Sequence, residues 1–495
     1  MQTYIRNITT LISKNFIKSS FIYSVVGSLP LASAMILLLF YANLLSKELI
    51  GIFALYIAFT FLVQTLVNFA LDAHIGFFYV ENKSNISYLK DYIGTIIGSL
   101  LLLGLMYLLI FFIFGNLIFK TFFQESFYPY GLMCVLTGIF NCIFKTYTNL
   151  LIYQQRPAKF FWYNIINFVL TIVISVVVLF MYPNTLMGPM WGRLLSGVGI
   201  FIIAIYGFSN EFGIRFKTKY FKPIFYYCLP IFIYYLLTWI LSNIDRFIIN
   251  GFLTKSDIAI YDIALKSTLI IEYFQMGIVN SFYPKIFRIW NEQKLTKLTP
   301  EVNRYFNGFT AVTMLIIPVF VVIVPIIIPH IIIKNDYSPM FPFISLLSLG
   351  FVTRSLFGLF SAPIYYLKKT KLLPRIFLYS AICQVILSIV LIKYFGLWGA
   401  VWAGFIVKVL QVLFLYIETR KIFTYSFNKV KQIFLPAIYI VLIVVSEIFM
   451  IENYRMLIQI IQMILICSLV FWVYRKELPL VVKPVFEKFI GGKDE

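Results

Sequence analysis

The sequence predicts an all-α integral membrane protein. Fourteen transmembrane helices form two parallel six-helix repeats (lobes) around a central cavity, with two extra C-terminal helices. Three observations carry this prediction. Of the 495 residues, 61% are hydrophobic and only 12% are charged. A single water-soluble core stops growing near roughly 250–300 residues, so lipid is the solvent that accommodates this much apolar surface. The apolar residues also fall in runs long enough to cross a bilayer, for which about 20 residues suffice. Finally, segments of the first half recur in the second half at a nearly constant spacing.

Taken in order, residues 1–18 repeat apolar side chains at Ile5, Ile8, Ile12 and Phe16, with Arg6, Lys14 and Lys18 on other faces. That pattern predicts a short interfacial helix. Spans follow at 19–42, 51–78, 92–115, 128–152, 161–182, 187–208, 224–251, 258–284, 305–333, 340–366, 375–394, 398–418, 433–451 and 456–474. The first run contains Pro30 and no small-residue cleavage site, so it reads as a span and not as a cleavable signal. No connection is long enough for a soluble domain.

The basic residues set the orientation. With the N-terminus inside, 29 of the 41 Lys and Arg residues fall in inner segments, 7 in outer segments and five within spans. Cytoplasmic loops are the Lys/Arg-rich ones, so both termini are expected in the cytoplasm and the protein in the cytoplasmic membrane. The same clustering between apolar runs explains the net charge of +21 without nucleic acid.

The repeat has three parts. LSKELIGIFAL at Leu45–Leu55 matches LTKSDIAIYDI at Leu253–Ile263. IYQQRPAK at Ile152–Lys159 matches IYYLKKTK at Ile364–Lys371. GPMW at Gly188–Trp191 matches GAVW at Gly399–Trp402. The offsets of 208, 212 and 211 residues each cover six spans, so both copies have the same orientation. Transporters built from parallel repeats follow this scheme, with substrate bound where the repeats meet. The expected divisions are 1–210 (spans one to six, with the interfacial helix), 211–420 (spans seven to twelve) and 421–495 (spans thirteen and fourteen with the cytoplasmic tail).

Charges inside spans mark candidate functional positions, because a charge at mid-bilayer costs roughly 2.5–3.5 kcal/mol or more. The basic ones are Lys145, Arg246, Lys266, Arg354 and Lys408. The acidic ones are Asp72, Asp245, Asp262 and Glu272. Helical spacing gathers them into stripes: Gln64, Asn68 and Asp72 on span two; Thr137, Asn141, Lys145 and Asn149 on span four; Ser242, Arg246 and Asn250 on span seven. Asp262 and Lys266 share a face of span eight. Gly350, Arg354, Gly358 and Ala362 give Arg354 a face of small residues on span ten. At about 1.5 Å per residue, Arg246 and Lys266 lie in the outer half, Arg354 near the middle and Lys145 in the inner half. The candidate substrate-binding residues are therefore Arg246, Lys266, Arg354, Lys145, Asn141 and Asn250, a cationic lining suited to a phosphate or pyrophosphate. Asp72, Asp245, Asp262 and Glu272 are coupling or ion-pair candidates. The alternative is structural pairing: Asp262 with Lys266, Arg246 with Asp245 or Asp262, Lys145 with Asp72. Lys408 reads more readily as facing a neighbouring helix, and Glu272 as a buried, hydrogen-bonded carboxyl.

The five cysteines all lie in apolar runs, and the two histidines, His74 and His330, are isolated. They call for no disulfide, metal or cofactor. No Walker-type loop, HExxH or GxSxG is present. The protein reads as a non-enzyme driven by H+ or Na+ coupling, by membrane potential, or by consumption of product.

Four segments carry a family resemblance: LSKELIGIFALY at Leu45–Tyr56, Tyr226–Lys266 with its Leu-Pro start and Asp-Arg near the end, IYYLKKTK at Ile364–Lys371, and FGLWGAVWAG at Phe395–Gly404. Over roughly residues 10–420 the chain resembles the Wzx-type O-antigen flippases. These belong to the MOP exporter superfamily, with the multidrug and toxin extrusion (MATE) transporters and the lipid II flippases. The resemblance implies an exporter of undecaprenyl-pyrophosphate-linked oligosaccharide, moved from the inner to the outer leaflet for O-antigen or capsule synthesis by rocking lobes with a cationic lumen. It also implies membrane lipids as surroundings and glycan polymerase machinery as a candidate partner. A MATE-like cation-coupled drug antiporter is the alternative, disfavoured because cationic drugs want an acidic cavity. A membrane-embedded glycan polymerase or ligase is disfavoured by short outer loops.

Overall fold

The computed structural model describes residue 23 and residues 26–27, 29–213, 215–292, 297–333, 337–449 and 454–482. The interfacial helix expected over residues 1–18, the start of span one and the tail beyond residue 482 lie outside the described residues. Everything described is helix and connecting turn, apart from one isolated bridge between Lys297 and Thr424.

Among the described residues, eleven helices are long and apolar enough to cross a bilayer. Leu372–Thr419 holds two spans, merged across Gly396. Lys255–Glu292 carries more charge but occupies the eighth position, and Leu29–Leu44 is the described part of span one. The expected fourteen spans are all accounted for. Several helices outrun their apolar windows: span three runs Ile86–Phe122 and span eight Lys255–Glu292. Their polar ends continue the helix past the hydrocarbon.

Two compact units divide the chain, Met1–Gly251 and Phe252–Glu495. The sequence repeat divides it instead at 210/211. Span seven, Thr218–Phe252, opens the second repeat but packs within the first unit. There the Trp239 indole donates to the Ala58 carbonyl at 2.9 Å and the Asn250 amide to the Phe122 carbonyl at 3.0 Å. Pro223 and Pro230 lie inside that helix without ending it.

In the first unit, span two begins at an N-cap, Ser46, whose hydroxyl accepts from the Leu49 amide at 3.3 Å, with Glu48 in the first turn. Both features satisfy or complement the free amides of a helix start. The span is not continuous. It runs Lys47–Asn68, breaks at Phe69 (φ 44°) and Ala70 (φ 60°), and resumes as Leu71–Glu81. Spans five (Pro157–Met181) and six (Met187–Glu211) pack so closely that a Cβ on Gly192 would lie 1.9 Å from Ser175 Oγ. Only glycine allows that approach.

In the second unit, span nine (Pro300–Ile331) starts at Thr299, which caps the Val302 amide at 3.2 Å. Span ten is also broken: Phe341–Leu349, a turn over 350–353, then Arg354–Tyr366. Spans eleven and twelve meet at Gly396, whose φ of 58° and ψ of −136° suit glycine alone. The C-terminal helices dock through a buried polar network. The Gln432 carbonyl oxygen accepts from Thr310 Oγ1 at 3.1 Å and Ser355 Oγ at 3.3 Å, while its amide donates to Asn307 Oδ1 at 2.9 Å. Spans thirteen (Leu435–Phe449) and fourteen (Arg455–Val473) are clamped by Lys431–Glu477 at 2.7 Å and Arg455–Glu447 at 2.6 Å.

Candidate functional site

Within each unit, intramembrane charges form ion pairs. In the first unit the stripes of spans two and four converge. Lys145 Nζ lies 3.1 Å from Asp72 Oδ2, and the Asn149 amide donates to the same oxygen at 3.4 Å. The Asp72 amide donates to Asn68 Oδ1 at 3.1 Å across the break of span two. Asp72 thus sits in the first turn of the resumed helix, where the partial positive charge of the helix start favours a carboxylate. The Lys145 ammonium also lies 5.8 Å from the Tyr235 ring centroid. Asn141 is half-buried, one helical turn from Lys145.

On span seven, Asp245 and Arg246 are both buried, at 6% and 7% exposure. The Arg246 Nη1 donates to the Ser242 carbonyl at 2.9 Å, one turn back. Asn250 spends its amide on Phe122, and its buried Oδ1 has no hydrogen-bond partner among the described residues.

In the second unit, Lys266 Nζ and Asp262 Oδ2 are 2.5 Å apart on one face of span eight. Glu272 has a partner that spacing alone did not reveal: Arg354 Nη1 donates to its Oε1 at 2.8 Å. The break in span ten explains this meeting. Arg354 opens the second helical piece, and the Gln275 amide ties the break down through the Phe351 carbonyl at 3.0 Å and Thr313 Oγ1 at 3.0 Å. The face of small residues around Arg354 is already filled. A Cβ on Gly350 would lie 2.7 Å from the Lys408 ammonium, and one on Gly358 would lie 2.9 Å from the Tyr283 hydroxyl. Lys408 therefore packs against the turn, with its ammonium 4.8 Å from the Phe351 ring centroid.

These pairs share a polarity. The carboxylate is the buried member and the cation the exposed one: 2% against 48% for Asp72–Lys145, and 1% against 22% for Asp262–Lys266. Glu272–Arg354 shows the same order with a smaller difference, 28% against 34%. In the first two pairs the acid stands behind its base, so the more exposed group is positive.

Two features escape a reading by spacing. Arg193 counts as an outer-rim residue by the Lys/Arg tally, yet it lies six residues past the start of the helix Met187–Glu211, with its Nε buried and, among the described residues, without a hydrogen-bond partner. Its guanidinium lies 5.5 Å from the Phe53 ring centroid, and among the described residues no carboxylate comes within ion-pair distance. The available signal was its distance from the helix start, about 9 Å at 1.5 Å per residue. The Asn307–Thr310–Ser355–Gln432 network was also missed, because none of its members is charged. His74 packs among aromatics, its Nε2 2.8 Å from the Tyr92 hydroxyl. Among the described residues no cluster of His, Cys, Asp or Glu could hold a metal ion.

Comparison with solved structures places the fold. A lipid II flippase, MurJ, in an inward closed conformation superposes with a TM-score of 0.70 over 95% of this chain and 99% of that one, at 16% identity. An inward-facing multidrug resistance transporter of the MATE family, in the MOP superfamily, gives 0.62 over 82% and 98%, at 12% identity. A MATE crystal structure in complex with MaD3S gives 0.55 over 82% and 96%, also at 12% identity. No curated protein sequence matches the chain significantly. The profile of the polysaccharide biosynthesis protein family matches residues 40–342, well over half of the chain. On that match, this membrane protein belongs to the polysaccharide biosynthesis protein family.

Proposed function

We propose that the protein is a flippase exporting undecaprenyl-pyrophosphate-linked oligosaccharide from the inner to the outer leaflet of the cytoplasmic membrane, for O-antigen or capsule synthesis. The observation that carries this reading is membership of a polysaccharide biosynthesis family together with a fold shared end to end with a lipid II flippase. The protein acts as a transporter and not as an enzyme, with both termini in the cytoplasm, and hands its product to glycan polymerase machinery.

The acid-behind-base geometry supports an anionic headgroup as cargo. Lys145, Lys266 and Arg354 are aimed by Asp72, Asp262 and Glu272, so a pyrophosphate meets positive charge whose position is already set. Arg246, with Asn250 on the same stripe and Asn141 beside Lys145, completes the set of substrate contacts. Protonation or Na+ binding at Asp72, Asp245, Asp262 or Glu272 would loosen the matching cation and so couple substrate release to an ion gradient by alternating access.

The test is surface glycan display in cells carrying Lys145→Ala, Arg246→Ala, Lys266→Ala or Arg354→Ala at unchanged protein level. At least two of these should lower display about tenfold or more, the loss expected when a charge-assisted contact of about 1.5–3 kcal/mol is removed. Wild-type display in all four overturns the cationic reading. The MATE-like antiporter remains the second reading because that fold is shared too. It predicts drug resistance on overexpression with no dependence on glycosyltransferases.

A further inference from the structure

A groove unrelated to the charged stripes lies on spans eleven and twelve. Its volume is about 360 Å³, and it is lined by Tyr379, Ile382, Cys383, Phe414, Ile417 and Glu418. Five of the six are apolar or aromatic, and Ile382 and Tyr379 remain 49% and 38% exposed in the whole chain. A solvent-facing groove of this kind would be a liability. In a membrane span it faces acyl chains.

The groove has one polar end. Glu418, with its side chain only 10% exposed, sits 3.9 Å from Arg375 and 3.1 Å from Lys421, whose side chains are 58% and 57% exposed. Arg375 Nε also donates to the Tyr379 hydroxyl at 3.0 Å, which fixes the guanidinium at the groove mouth. Across residues 367–376 and 414–421 there are six cations, Lys368, Lys369, Lys371, Arg375, Arg420 and Lys421, and Glu418 is the one acid. From Arg375 to Cys383 the helix advances eight residues, about 12 Å. That approaches the roughly 15 Å hydrocarbon depth of a single leaflet.

We propose that this groove holds an acyl chain of an anionic phospholipid whose phosphate sits on Arg375 and Lys421. Depth, apolar lining and a cationic mouth at one end together match that ligand class. Glu418 keeps the two cations at the mouth while leaving their outward donors available. Span eleven begins, and span twelve ends, at this mouth, so the bound lipid staples the two helix ends opposite the Gly396 turn. The site is independent of the transport reading, because it is read out by lipid binding and not by export.

The experiment is native mass spectrometry of the full-length protein, delipidated in detergent and titrated with phosphatidylglycerol, phosphatidylethanolamine or phosphatidylcholine. The wild type should retain phosphatidylglycerol preferentially. Arg375→Gln and Lys421→Gln should each weaken retention about fivefold, as expected for one basic group at an anionic headgroup. Cys383→Trp fills the groove without touching the cations and should also reduce retention, with its helical circular dichroism unchanged. Equal binding of the three lipids, a preference for phosphatidylethanolamine, or wild-type retention in both Gln variants overturns the proposal. Wild-type retention in Cys383→Trp removes the groove from it and overturns it as stated.

Discussion

At Asp72 and Lys145 the two members of one ion pair occupy unlike environments. Asp72 is almost fully enclosed and Lys145 is half exposed. Lys145→Met leaves an enclosed carboxylate without its cation, a loss of about 1–3 kcal/mol for an unsatisfied buried group. Asp72→Asn leaves an ammonium that polar surroundings can still solvate, and an exposed pair contributes only about 0–1 kcal/mol. Thermal unfolding in detergent should therefore show Lys145→Met less stable than Asp72→Asn, with the double variant recovering part of the loss. The reverse order would mean that the acid is not the buried dependent partner. The stripes on spans two and four were legible in the sequence because an i, i+4 repeat of polar residues in an apolar run has one geometric meaning. The Arg354–Glu272 pair was not, since it depends on a helix break that no proline or glycine pair announces. Arg193 was misplaced for another reason: a tally of basic residues near a span end does not distinguish a rim residue from one already inside.

The spans depart from straight rods at two kinds of place. One is the tight joint between spans eleven and twelve, where Gly396 adopts a conformation essentially reserved for glycine and a Cβ there would meet nothing within 4 Å. Space is available, so the backbone alone decides. Gly396→Ala should cost about 1–3 kcal/mol, visible as a lower Tm. Gly404→Ala, on ordinary helix with the same open surroundings, should be neutral or slightly stabilising. Equal Tm values for both variants would refute the backbone argument. The other kind is the break at Phe69 and Ala70, both left-handed without being glycine. Such residues cost energy and persist where surrounding structure over-determines them. Here Phe69 stacks on Phe225 and Phe232, with centroids 4.5 and 4.4 Å away. Hydropathy separated spans eleven and twelve around Gly396, whereas the break at Phe69 and Ala70 stayed hidden inside span two, because it arises from packing between helices distant in sequence.

For the whole molecule, fourteen spans were legible because hydropathy and charge alternation constrain each other: one span too many or too few inverts every later loop. That reasoning yields a topology prediction. Cysteines introduced at Lys47, Lys120 and Lys255 in a cysteine-free background should react with a membrane-impermeant maleimide in intact cells, and those at Lys83, Lys368 and Arg420 only after permeabilisation. Labelling of the second group in intact cells would invert the assignment. The repeat was legible as an offset, but its period does not coincide with how the helices pack.

Span seven belongs by ancestry to one half of the molecule and by hydrogen bonding to the other, through Trp239 and Asn250. A chain interrupted near residue 253 keeps each compact unit's helices on one fragment. A chain interrupted near residue 215 strands span seven on the wrong piece. Co-expressed fragments divided at the first position should reassemble into a stable protein more readily than fragments divided at the second, although the second cut respects the repeat. The repeat boundary and the boundary between the compact units then lie one helix apart.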